Sequence, residues 1–193
     1  MPLPGGAGLA NNRSLTHLSV NLCHWGISSP GGDIVIAAAA AAITGGAPLN
    51  SLELNFCWVT AKGCRRLATV MDAGSPLREV TLRYNPLGSD GVAALAAAAQ
   101  SLTKLALIND FEEEPALGAL DTLVRTSDAL VELDLSTEDH GTFDDPDDEM
   151  PDVDFDDDEE VLEARAAAVA TLRAAAEGRK VFVVGDEQEE EEQ

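Results

Sequence analysis

Residues 77–95 read LREVTLRYNPLGSDGVAAL, and residues 49–67 read LNSLELNFCWVTAKGCRRL. Superposed, both open on leucine, two residues, aliphatic, one residue, aliphatic: Leu77-Val80-Leu82 and Leu49-Leu52-Leu54. Three residues later come Asn85 and Cys57, followed at the next apolar slot by Leu87 and Val59. Gly91 and Gly63 each lie 14 residues after their first leucine, and Leu95 and Leu67 each lie 18 after. Agreement across so many positions marks an internal repeat, and an internal repeat decides the fold before any single element does.

Working outward, the opening phrase recurs as Leu15-Leu18-Val20, Leu102-Leu105-Leu107 and Leu130-Leu133-Leu135, so the first leucines stand 34, 28, 25 and 28 residues apart. Cys23 and Asp110 take the Cys/Asn position in the first and fourth copies. Trp25 fills the next apolar slot of the first copy, whereas the fourth, with Asp110-Phe111-Glu112, misses it. Alternating apolar residues predict a short strand, and the Gly-x-x-x-Leu half predicts a helix. Neither can bury its apolar side alone. Stacked copies therefore form a parallel sheet lining a right-handed arc, with helices outside, in about five to six repeats of an α/β solenoid. An Asn in the turn can satisfy buried main-chain groups of neighbouring copies, and a small buried Cys fits the same place. Cys23 and Cys57 are therefore expected to be structural.

The spacing of 25 to 28 residues and the run Asn85-x-Leu87-x-x-x-Gly91-x-x-x-Leu95 resemble the ribonuclease-inhibitor subfamily of leucine-rich repeats, over roughly residues 9–135. The resemblance implies protein recognition on an arc. Departures from it are the long first copy and the Asp110–Glu112 run.

Composition agrees with a packed solenoid and narrows its chemistry. The 193 residues are 45% hydrophobic but only 4% aromatic, so Leu, Val and Ala fill the core. Runs such as Ala37–Ala42 and Ala96–Ala99 suit helices in close contact. The net charge of −23 is concentrated: 14 acids and no Lys or Arg lie between Glu138 and Glu160, and 6 more acids lie in 186–193, leaving 15 acids against 12 bases elsewhere. Such runs are expected to be solvated. The predicted organisation is an irregular segment or repeat remnant at 1–14, repeats at 15–135, an acidic disordered insertion at 136–157, a helix and edge strand at 158–185 and an acidic tail at 186–193. Within the fourth of these, the helix is expected from about Asp158 to Glu177 and the strand at Val181–Val184. An open first copy exposes apolar surface and an unpaired strand edge, so either Met1–Ala10 form an irregular cap, a partner covers the end, or the sequence starts inside a longer protein.

The chemical motifs are few. Asp152, Asp154, Asp156 and Glu163 have the acidic spacing of a calcium loop, but Asp157 stands where glycine is required and Pro151 replaces the entering helix. His17, His24 and His140 form no ligand spacing, and no phosphate loop or nucleophile elbow occurs. No catalytic residue, metal or cofactor is expected. Three cysteines without a CxxC pair favour a reducing compartment, and the absence of a signal-peptide pattern makes the cytosol the default, with cytoskeletal assembly or nucleus open. The charge disfavours nucleic acid and anionic membranes as partners.

Other proteins are the expected partners. Strand alternation places His17, Ser19, Asn21, Ser51, Glu53, Asn55, Glu79, Thr81, Arg83, Lys104, Ala106, Ile108, Glu132 and Asp134 on the concave face. Phe56, Trp58 and Tyr84 fall at or past strand ends. Core filling is the stronger expectation for Phe56 and Trp58, and Tyr84 beside Arg83 is the surface candidate. The leading functional expectation is a non-catalytic scaffold subunit. The alternatives are an acidic chaperone for basic proteins and, by resemblance to the Ran GTPase-activating protein, a regulator of a small GTPase.

Overall fold

A computed structural model describes residues 9–21, 31–108, 111–136 and 159–185. Cys23, His24, Trp25, Asp110, His140, the Asp152–Asp156 run, most of the acidic insertion and the tail from 186 lie outside the described residues. Six strands alternate with helices: β1 (His17–Asn21), α1 (Gly31–Thr44), β2 (Ser51–Asn55), α2 (Ala61–Asp72), β3 (Glu79–Thr81), α3 (Ser89–Ala98), β4 (Lys104–Ala106), α4 (Ala116–Thr126), β5 (Glu132–Asp134), α5 (Glu159–Ala175) and β6 (Phe182–Val184). The sheet is wholly parallel and in sequence order, β1 to β6. Its register aligns the middle phrase position of every turn: Leu18, Leu52, Val80, Leu105, Leu133 and then Val183. Each strand thus turns its leucines toward the helices, and Leu49, Leu54, Leu77, Leu82, Leu102 and Leu107 are fully buried between the layers. Burial of each contributes roughly 1.5–3 kcal/mol.

Polar side chains stitch the turns. Asp33 in α1 accepts from the Thr60 N–H (2.9 Å) and Oγ1–H (2.8 Å), fixing the residue that caps α2. Just ahead of β5, the Ser127 hydroxyl accepts the main-chain N–H of Leu130 at 3.1 Å and donates to the Gln100 carbonyl at 3.2 Å. Between helices, small residues set the distance. A methyl on Gly91 would sit 2.9 Å from Ala61 Cα, so α2 and α3 approach as closely as they do only because that position has no side chain.

Two findings modify the expected repeat. The fourth turn does not lack its apolar plug: Phe111, one residue early, is fully buried, with the Arg165 guanidinium 5.8 Å from its ring. A larger side chain entering from a shifted position fills the same volume. The first turn is less closed than the others, since Leu15, Leu18 and Val20 are only partly buried whereas Leu49, Leu52 and Leu54 are sealed. Among the described residues no helix is long and apolar enough to cross a membrane.

Candidate protein-binding face

The parallel register sets the concave side chains in rows that run across the arc. His17, Ser51, Glu79, Lys104, Glu132 and Phe182 form the first row, and Ser19, Glu53, Thr81, Ala106, Asp134 and Val184 the second. Asn21 and Asn55, the last residues of β1 and β2, begin a third, which Arg83 continues beyond the end of β3.

The rows are accessible at the β1–β3 end, close at Ala106 and Asp134, and open again at β6, where Phe182 and Val184 are exposed. His17, Ser19, Asn21 and Glu79 are exposed, and Ser51, Glu53, Asn55 and Thr81 are half-buried. Glu53 sits at the centre of a small polar network, accepting from Ser19 Oγ at 3.1 Å and Asn55 Nδ2 at 2.9 Å. Its carboxylate is thereby held toward the open side of the arc. Glu79 has no cation within ion-pair distance among the described residues, so this half of the face is acidic. Lys104 and Glu132 form a 2.6 Å ion pair, each a little over one-third exposed, which screens both charges.

Four expected face residues are withdrawn from it. Arg83 and Asp134 are ion-paired, with side chains only 12% and 7% accessible. Thr81, Ala106 and Asp134 share one row, so the guanidinium must cross β4, and alanine at 106 leaves the room for it. Asp134 also accepts from the N–H and Oγ of Ser136, at 3.1 and 2.8 Å. Arg83 is therefore not offered to a ligand. Ile108 is also buried, as is Ala106. β4 ends at Ala106, and beyond a strand end the pleat no longer sends successive side chains to opposite faces.

An aromatic rim stands where two of the turns leave the sheet. Phe56 and Tyr84 occupy the same repeat position and stack with ring centroids 4.2 Å apart and planes 9° from parallel. Trp58 is exposed rather than core-filling, and Phe56 is half-buried, contrary to the expectation for both. All three hold left-handed backbone, with φ of 54°, 56° and 56° for Phe56, Trp58 and Tyr84. Bulky residues rarely accept that conformation. At Phe56 and Trp58 it also explains the failed expectation. A left-handed residue reverses the side to which its Cβ points, and strand alternation cannot foresee that. Glycine, the usual marker of such turns, is absent at all three positions.

The turn beneath the rim is held by Asn85. Its Oδ1 accepts the N–H groups of Cys57 (2.9 Å) and Val59 (3.0 Å), and its Nδ2 donates to the Leu54 carbonyl at 2.7 Å. Cys57 fills the equivalent site one turn earlier, its Sγ 3.1 Å from the Val20 carbonyl. It is a fully buried thiol that donates to main-chain carbonyls, as a structural residue would. The family model for the leucine-rich repeat matches residues 47–68 and 75–96, the two turns that carry this arrangement.

The chain carries leucine-rich repeats. Over 87 residues the chain is 34% identical to bovine (Bos taurus) NACHT, LRR and PYD domains-containing protein 5. The match takes in 45% of this chain but spans only 8% of that protein's length. Among solved structures, the tropomodulin C-terminal domain of Caenorhabditis elegans superposes with a TM-score of 0.57 at 13% identity, covering 90% of this chain and 94% of that one. At that identity the likeness concerns the fold alone. Leucine-rich-repeat domains generally mediate protein–protein interaction and generally act as binding modules rather than enzymes. A cleft of about 520 Å³ on the helical side is lined by Ala40, Ala41, Thr44, Gly45, Arg66, Thr69 and Val70. Among the described residues no cluster of His, Cys, Asp and Glu could hold a metal ion.

Proposed function

We propose that this chain is a non-catalytic scaffold subunit, with repeats of the ribonuclease-inhibitor type, that grips another polypeptide along the β1–β3 half of its concave face. The reading rests on one observation, the strained aromatic rim of Phe56, Trp58 and Tyr84 beside the acidic Glu53–Glu79 surface. Backbone strain of this kind clusters at recognition sites, and large amphipathic rings dominate interface energetics. The partner segment is basic and carries at least one apolar side chain to meet the rings. The setting is a cytoplasmic assembly, with a cytoskeletal or nuclear one the variant.

The test is co-purification of the full chain from its native source, run beside Trp58→Ala and Tyr84→Ala. Partners retained by the parent should be lost from both variants while their melting temperatures stay close to the parent's. An unchanged partner set in both would refute the reading.

A second reading is favoured by the clustering of 14 acids between Glu138 and Glu160 and 6 more in the tail. They would attract basic proteins through long-range fields, giving an acidic chaperone. Deletion of 138–157 and 186–193 should then abolish binding to a basic polypeptide. Salt-insensitive binding that survives the deletion would exclude it.

A further inference from the structure

The two edges of the sheet are finished differently. At the β6 edge, Arg173 of α5 donates from Nε to the Val183 carbonyl and from Nη2 to the Gly185 carbonyl, both at 3.2 Å. Those acceptors would otherwise receive a seventh strand, so the chain blocks this edge itself.

At the β1 edge nothing comparable occurs among the described residues. The Thr16 carbonyl accepts the N–H groups of Asn50 and Ser51, so the even-numbered residues of this strand turn their main-chain groups toward β2. By ladder parity His17, Ser19 and Asn21 turn theirs outward. None of the three has an outward main-chain partner among the described residues. Behind them Leu18 and Val20 stay partly exposed.

We infer that β1 pairs antiparallel with β1 of a second copy of this chain, on a two-fold axis through Ser19. The strand, His17-Leu18-Ser19-Val20-Asn21, alternates polar and apolar symmetrically about its centre. Paired with itself, His17 faces Asn21, Ser19 faces Ser19, and Leu18 faces Val20 on the helical side, where both lose their remaining exposure. An offset of one residue would set apolar groups against polar ones. The outward groups supply about six main-chain hydrogen bonds. Charge permits the approach. Residues 9–21 hold one formal charge, Arg13, whereas the acidic runs join the chain at β5, α5 and β6. The inference goes beyond the proposed function. It needs no foreign partner and leaves the concave side chains free, so either can fail without the other.

Sedimentation equilibrium of the full chain across micromolar concentrations tests it. The expected species has twice the 20.2 kDa chain mass. Ser19→Pro removes an outward N–H and leaves the β1–β2 ladder intact, so its circular dichroism should match the parent while association weakens about tenfold or more. A second variant does not depend on that proline being tolerated. In an antiparallel hydrogen-bonded pair the Cα atoms lie about 5.5 Å apart, within disulfide reach. Oxidised Ser19→Cys should therefore cross-link two copies beyond the level of the parent, which keeps Cys23, Cys57 and Cys64. Asn21→Cys, which faces His17 of the other copy, should not. A parent chain that stays monomeric overturns the inference, as does a folded Ser19→Pro chain that associates undiminished or a Ser19→Cys chain that cross-links no more than the parent.

Discussion

Asn85 reaches back one full turn of the solenoid and accepts the main-chain N–H of Cys57 at 2.9 Å. The same amide also serves Val59 and Leu54, so one buried side chain, 2% exposed, satisfies groups that no strand or helix bond reaches. Asn85→Ala leaves these donors and acceptors unpaired and should lower unfolding stability by about 3 kcal/mol or more. Asn85→Cys, which imitates Cys57, should cost less. Urea denaturation of the three chains measures the order. An Asn85→Ala chain as stable as the parent would show that water replaces the amide.

Arg83 and Asp134 span three strands as a buried ion pair. Removing one partner strands the other charge, so Arg83→Met alone should destabilise by about 3 kcal/mol. Replacing both, with Arg83→Met and Asp134→Asn together, removes both charges, keeps an Oδ1 acceptor for Ser136 and should recover most of that loss. A double-mutant cycle by chemical denaturation gives the coupling directly. Independent, additive losses would mean that the pair is not a unit.

Leu18 and Leu52 hold the same repeat position in adjacent strands but differ in burial. Leu52→Ala opens a cavity in a sealed layer and should cost about 3 kcal/mol. Leu18→Ala, already near solvent, should cost about 1 kcal/mol when measured on dilute monomer. Equal losses would show the first turn to be as tightly packed as the second.

Trp58 is exposed and sits at φ 56°. Glycine adopts that conformation without the steric penalty of a Cβ, so Trp58→Gly should leave stability unchanged or raise it by about 1 kcal/mol. Partner capture should nevertheless fall sharply. A thermal melt alongside the co-purification separates the two effects. Loss of stability would place the indole among structural residues instead.

The repeated leucine phrase announces the fold because burial between stacked layers demands the same residue type at the same interval in every turn. Leu49, Leu77, Leu102 and Leu130 could therefore be assigned without coordinates. The role of Asn85 was legible for the same reason, since a turn that buries main-chain groups needs a side chain able to both donate and accept. Much of the concave face followed from strand alternation, from His17 through Thr81. Alternation holds only while the strand lasts, and it stops short of Ile108.

What only the tertiary structure decided lies at the strand ends and between turns. Local sequence does not show that Arg83 crosses β4 to Asp134, because the pairing depends on a small residue, Ala106, in an intervening strand. Nor does it show Phe56 stacked on Tyr84 with Trp58 turned outward, because left-handed backbone at a non-glycine residue is imposed by the surrounding turn. Periodicity reports which side chains must be buried together. Where the chain leaves its period, the direction of a side chain is set by neighbours 25 to 51 residues away, and only the packed arc brings them within reach.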